Sequence, residues 1–160
     1  MKLIKPSFQI IEPTGYTIDD IYKSIELAGR VSHRSEDRIT EDSAKEFVDR
    51  MIKMNHLATC EFGTVYLEYH VQDPSVIGEP NYHKQQEELN SLIKKYANNK
   101  YSIVKYHGND VYVTTNMRVL IENNWLDDLK YLCEPTEYHE KRTCVRFICD
   151  RAISHKKFVA

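Results

Sequence analysis

Apolar residues recur along this chain with two periods, and the switches between them predict its elements. Residues 3–11 hold Leu3, Ile4, Phe8, Ile10 and Ile11 around Pro6, which predicts an opening strand at a sheet edge, followed by a turn from Glu12 to Tyr16. From Ile18 the period lengthens. Ile18, Ile21, Tyr22, Ile25 and Ala28 form a helical stripe up to Gly29, with Thr17 as N-cap and Asp20 three residues on. Arg30 to Arg38 has no period and reads as a charged, polar connector. Ala44, Phe47, Val48, Met51 and Ile52 predict a second helix, capped by Thr40 and ended by Asn55.

The second half continues with shorter elements. His56 to Gly63 leads into a β-branched and aromatic run from Thr64 to Val71, a strand. A loop rich in Pro and Gly, Asp73 to Pro80, precedes a charged amphipathic helix from Tyr82 to Tyr96. Two short strands, Tyr101–Tyr106 and Val111–Thr114, flank the turn His107 to Asp110. Asn116 caps a helix through Met117, Val119, Leu120 and Ile121, and another helix is expected from Trp125 to Cys133, before Pro135. Val145, Phe147 and Cys149 alternate with Arg146 and Ile148 as a half-buried strand does. Asp150 would then cap a helix carrying Ala152, Ile153, Phe158 and Val159. That helix has no C-cap, as expected of a truncated product or an unusual natural end.

Helices and strands do not alternate as βαβ units, which favours an α+β fold with helices packed on a mixed or mainly antiparallel sheet. A length of 160 residues fits a single domain over 1–160, and 41% hydrophobic with 29% charged residues is ordinary for a soluble globular chain. No apolar run approaches the roughly 20 residues of a spanning helix, and the N-terminus lacks a signal-peptide core, so the expected location is the cytoplasm without membrane contact. A net charge of −2 without long basic runs argues against a binder of polymeric nucleic acid, yet leaves room for a nucleotide. Cys60, Cys133, Cys144 and Cys149 match no zinc spacing and read as reduced, mostly buried thiols.

No phosphate loop, dinucleotide fingerprint, nucleophile elbow or zinc-protease motif is present. Candidate chemistry comes from constellations instead. Gly29 permits close backbone approach beside Arg30, Ser32 and Arg34, which offer cations and a hydroxyl to an anion or simply form a solvated connector. His56 and Glu61 flank a helix-to-strand turn, where they could orient a ligand or cap neighbouring backbone groups. His155 and the pair Lys156-Lys157 read as structural and solvated. Tyr66, Tyr69, Tyr101, Tyr106 and Tyr112 read as sheet packing rather than a stacking platform for bases.

Arg30-Val31-Ser32, the helix after it, and His56-Leu57-Ala58-Thr59-Cys60-Glu61 with its following strand resemble the N-terminal half of flavin-dependent thymidylate synthase. The run Val145 to His155 is similar to the strand and helix that lead, in that family, into an Arg-His-Arg signature. The resemblance implies a homotetramer with FAD between subunits, NADPH as reductant, and methylation of dUMP to dTMP with a carbon from methylenetetrahydrofolate. It assigns Arg30, Ser32, His56, Thr59 and Glu61 to cofactor binding, implies no metal, and leaves the catalytic residues of this chain unassigned. Two departures stand out. Ala58 occupies a position where a flavin-contacting Thr or Ser is usual, with Thr59 adjacent, and Phe62 replaces a His. The signature and the family's later catalytic arginine are absent from these 160 residues, so this chain alone is expected not to turn over dUMP. Open alternatives are a non-catalytic nucleotide- or flavin-binding protein and an oligomeric interaction protein of the same fold.

Overall fold

In a computed structural model of the protein, residues 5–70 and 82–149 are described. Contacts divide the chain into two compact units, Met1–Glu12 with Arg142–Ala160, and Pro13–Lys141. All strand pairings among the described residues are antiparallel, and with four α-helices they make an α+β protein. No described helix is long and apolar enough to cross a membrane. The expected loop over 73–80 and the expected helix after Asp150, His155 included, lie outside the described residues.

The larger unit opens with α1 (Ile18–Ser32), whose start is fixed as the sequence predicts. The Thr17 hydroxyl accepts from the Asp20 backbone N–H, and the Asp20 carboxylate accepts from the Thr17 N–H, a reciprocal capping box. Gly29 does not end the helix. A Cβ there would lie 2.5 Å from Phe47 Cζ, so the glycine lets α2 (Ser43–Lys53) approach, and α1 runs on through Arg30 and Ser32. The connector is correspondingly shorter and contains a 3₁₀ turn, Glu36–Arg38. Thr40 is not the cap of α2; its N–H donates instead to Ser43 Oγ at 2.9 Å. Asn55, at φ 55°, closes α2 as expected, because asparagine tolerates the left-handed region.

A 3₁₀ turn, Leu57–Phe62, leads into β2 (Thr64–His70). After α3 (Tyr82–Ala97), strands β3 (Ile103–His107) and β4 (Asp110–Asn116) form a hairpin over Gly108 and Asn109, with Gly108 at φ +58°. The sheet order is β2-β4-β3. Alternation assigns its two faces: Val65, Leu67, Tyr69, Val111 and Val113 are buried in the core with Ile21 and Ile25 of α1, Phe47 and Val48 of α2, and Tyr96 of α3. Met117 and Leu120 join them from α4 (Met117–Glu122), which starts where Asn116 Oδ1 accepts from the Val119 N–H at 3.0 Å. The helix expected at Trp125–Cys133 is a 3₁₀ stretch, Leu126–Tyr131, reaching toward β2, where Leu132 bridges Leu67. Asp128 within it is buried, accepting from Tyr96 Oη at 2.6 Å and pairing with Lys95.

The smaller unit contains β1 (Ser7–Ile11) paired with β5 (Cys144–Ile148). Phe8 and Phe147 are cross-strand partners and are 70% and 68% exposed, so β5 is not the half-buried strand its alternation suggests. A two-stranded ribbon has only one layer. For the same reason Cys144 and Cys149 are exposed, and only Cys60 is fully buried; all four cysteines are free. Tyr66, Tyr69 and Tyr112 pack in the sheet as expected, whereas Tyr101 and Tyr106 are exposed.

Candidate functional site

The two sequence segments carrying candidate chemistry meet where α1 passes the 3₁₀ turn Leu57–Phe62. A Cβ on Gly29 would lie 3.4 Å from Thr59 Cγ2, so the absence of a side chain there lets Thr59 pack directly against the helix backbone. Residues 29 and 59, far apart in sequence, thereby become neighbours. Cys60 is buried beneath the turn, where burial raises its thiol pKa and makes it a packing group rather than a nucleophile.

Each candidate side chain has a definite position. Arg30 is half-buried, its Nε donates to Glu26 Oε1 at 2.7 Å, and its guanidinium stacks 5.2 Å from the Phe47 ring centre. Glu26, fully buried, takes a second bond from Ser43 Oγ at 2.8 Å. Arg30 is thus part of a bracket between α1 and α2. Ser32 is exposed and its hydroxyl donates to the Gly29 carbonyl at 2.7 Å. Thr59 Oγ1 donates to the His56 carbonyl at 3.3 Å, which keeps the 3₁₀ turn tight. Glu61 is exposed and accepts from Arg118 Nη1 at 2.5 Å, while Arg118 Nε donates to Glu122 at 2.7 Å. His56 is exposed at the N-cap position of the turn, where its side chain makes no cap hydrogen bond.

The geometry joins the segments without aiming all five side chains at one point. Arg30 faces α2 and Glu61 faces α4, whereas His56 and Thr59 share the turn itself. An exposed imidazole, a carboxylate paired with an arginine, and hydroxyls around the junction of a helix end and a tight turn can offer hydrogen bonds to a polar ligand. Arg118 was not singled out by sequence reasoning. Its place two residues after the Asn116 cap, in the first turn of α4, was the available signal, since the Met117 N–H donates to the Gly63 carbonyl and sets α4 beside residues 57–62.

The opposite face of the sheet holds a second polar group that the sequence did not reveal. His139 is buried against Tyr66 and Tyr112, with ring centres 5.3 and 5.1 Å away. Tyr138 stacks on His107 at 3.9 Å. Burial, and then a hydrogen bond to Glu68, push the Tyr112 phenol up to about 12. Burial likewise lifts the Cys133 thiol to about 12, so its 3.8 Å approach to His139 is not an activated Cys–His pair. Comparison with protein-family models, with curated protein sequences and with solved structures finds no match.

Proposed function

We propose that this chain is a flavin- and nucleotide-binding protein of the flavin-dependent thymidylate synthase type, holding FAD over the surface where the end of α1 meets the turn Leu57–Phe62. The observation that carries the reading is the packing of Gly29 against Thr59, which unites the two motif-bearing segments. His56, exposed, supplies a hydrogen-bonding group there and Thr59 lines the junction, while Glu61, held by Arg118, flanks it on the α4 side. Bound FAD would supply the redox chemistry of the family reaction, the conversion of dUMP to dTMP with methylenetetrahydrofolate and NADPH. The chain's own residues would bind and orient. Arg30 would act indirectly: its bond to Glu26 fixes the end of α1, which presents Ser32. A homotetramer is part of the proposal.

Calorimetric titration with FAD, with and without dUMP, tests this reading. Saturable FAD binding that weakens by about tenfold in His56→Ala, as loss of roughly 1.4 kcal/mol of contact implies, is the expected result. Absence of heat with FAD, dUMP and their mixture would exclude it. A second reading, an oligomeric interaction protein, draws on the exposed Phe8, Ile10 and Phe147 of the β1–β5 ribbon. Light scattering separates that reading: a stable oligomer without ligand affinity favours it, and a ligand-free monomer removes it.

A further inference from the structure

At the end of the three-stranded sheet where β2 finishes and the β3–β4 hairpin turns, Glu68, His70 and Asp110 each offer a ligand atom, all within 4.8 Å of one another. The antiparallel register creates this group. Glu68 and His70 are two residues apart on β2 and therefore share a face, and Asp110 of β4 is the cross-strand partner of His70. His70 Nδ1 lies 2.7 Å from Asp110 Oδ1. Tyr112, the cross-strand partner of Glu68, is hydrogen-bonded to its carboxylate.

We propose that Glu68, His70 and Asp110 form a binding site for a divalent first-row transition ion, with zinc as the representative ligand. One imidazole and two carboxylates are a donor set that such ions accept, at bonds of about 2.0–2.2 Å. Ligand atoms around such an ion sit roughly 3–3.5 Å apart, so the 2.7 Å pair must open slightly and the third donor close in. Both movements are side-chain rotations. The His70 side chain is 76% exposed and Asp110 33%, so neither is locked by packing, while the ladder keeps their backbones in place. Tyr112 is the positioning residue, because its hydroxyl orients the Glu68 carboxylate in the manner of an outer-sphere partner. The ion would take the place of the proton between His70 and Asp110, joining β2 to β4 at their last pair. This site shares no residue with the junction of Gly29 and Thr59, and its test does not depend on flavin.

The test is a titration of the full chain, free of any affinity tag, with zinc chloride by calorimetry and with cobalt chloride by visible absorption. The expected result is saturable binding with a cobalt d–d band, weakened by about tenfold or more in both His70→Ala and Asp110→Asn. Asp110→Asn is nearly isosteric and guards against misfolding, which circular dichroism checks. Tyr112→Phe should weaken zinc binding less than either. His33→Ala removes an exposed histidine at the end of α1, outside the group, and should leave the affinity unchanged. Equal affinity in the wild type, His70→Ala and Asp110→Asn, or no saturable binding at all, would overturn the proposal.

Discussion

His139 is held in a single neutral form by its neighbours. The Thr136 backbone N–H donates to Nδ1 at 3.1 Å, so that nitrogen is the acceptor, and Nε2 must carry the proton it directs at the Leu67 carbonyl, 3.2 Å away. Burial keeps the imidazole pKa below its ordinary 6.5, outweighing the carbonyl. Protonating Nδ1 would set its new N–H against that of Thr136. The unfolded chain therefore takes up a proton near pH 6.5 that the folded chain refuses, and stability present above that pH is lost as the pH falls toward the folded value. His70 behaves in the opposite sense. Its bond to Asp110 raises its pKa, so its small, exposed contribution is present at low pH and lost as the pH rises through the folded value. A proton-NMR titration should give a midpoint below 6.5 for His139 and above it for His70. The reverse order would contradict both assignments.

Most helix ends that depend on local side chains were legible in the sequence, Thr40 being the exception, and features that depend on distant partners were not. Thr17 with Asp20, Asn55 and Asn116 act at their own helix ends, so their types and positions sufficed. Gly29 looked like a helix stop because its partner, Phe47, lies in another helix. Glu26 was likewise hidden: a glutamate in a helix reads as solvated, and only the approach of α2 supplies Ser43 to complete its bonds with Arg30. The 3₁₀ stretch Leu126–Tyr131 passed for a helix because its apolar spacing is similar, while the bridge from Leu132 to Leu67 is nonlocal. Three denaturant melts test these roles. Glu26→Ala should cost about 3 kcal/mol or more by leaving a half-buried arginine unpaired. Gly29→Ala should cost about 1–3 kcal/mol through overpacking on Phe47. Asn116→Ala should cost about 1 kcal/mol by removing the cap of α4. Losses near zero would show that these contacts do not shape α1 and α4.

At the scale of the whole molecule, one face of the three-stranded sheet buries the core against α1 to α4, and the other carries polar and aromatic side chains under Tyr138 and His139. The α+β class followed from the order of elements. The positions of the candidate residues did not, because sequence separation says nothing of which partner takes each polar atom: Arg30 is spent on Glu26, and Glu61 on Arg118. What the fold does provide is the meeting of residues 29 and 59, and the functional proposal rests there. The most direct test is to follow backbone amide shifts by NMR while FAD is added in the presence of dUMP. The account predicts that the largest shifts cluster at Gly29 to Ser32 and at His56 to Glu61. No shifts, or shifts confined to other surfaces, would contradict it.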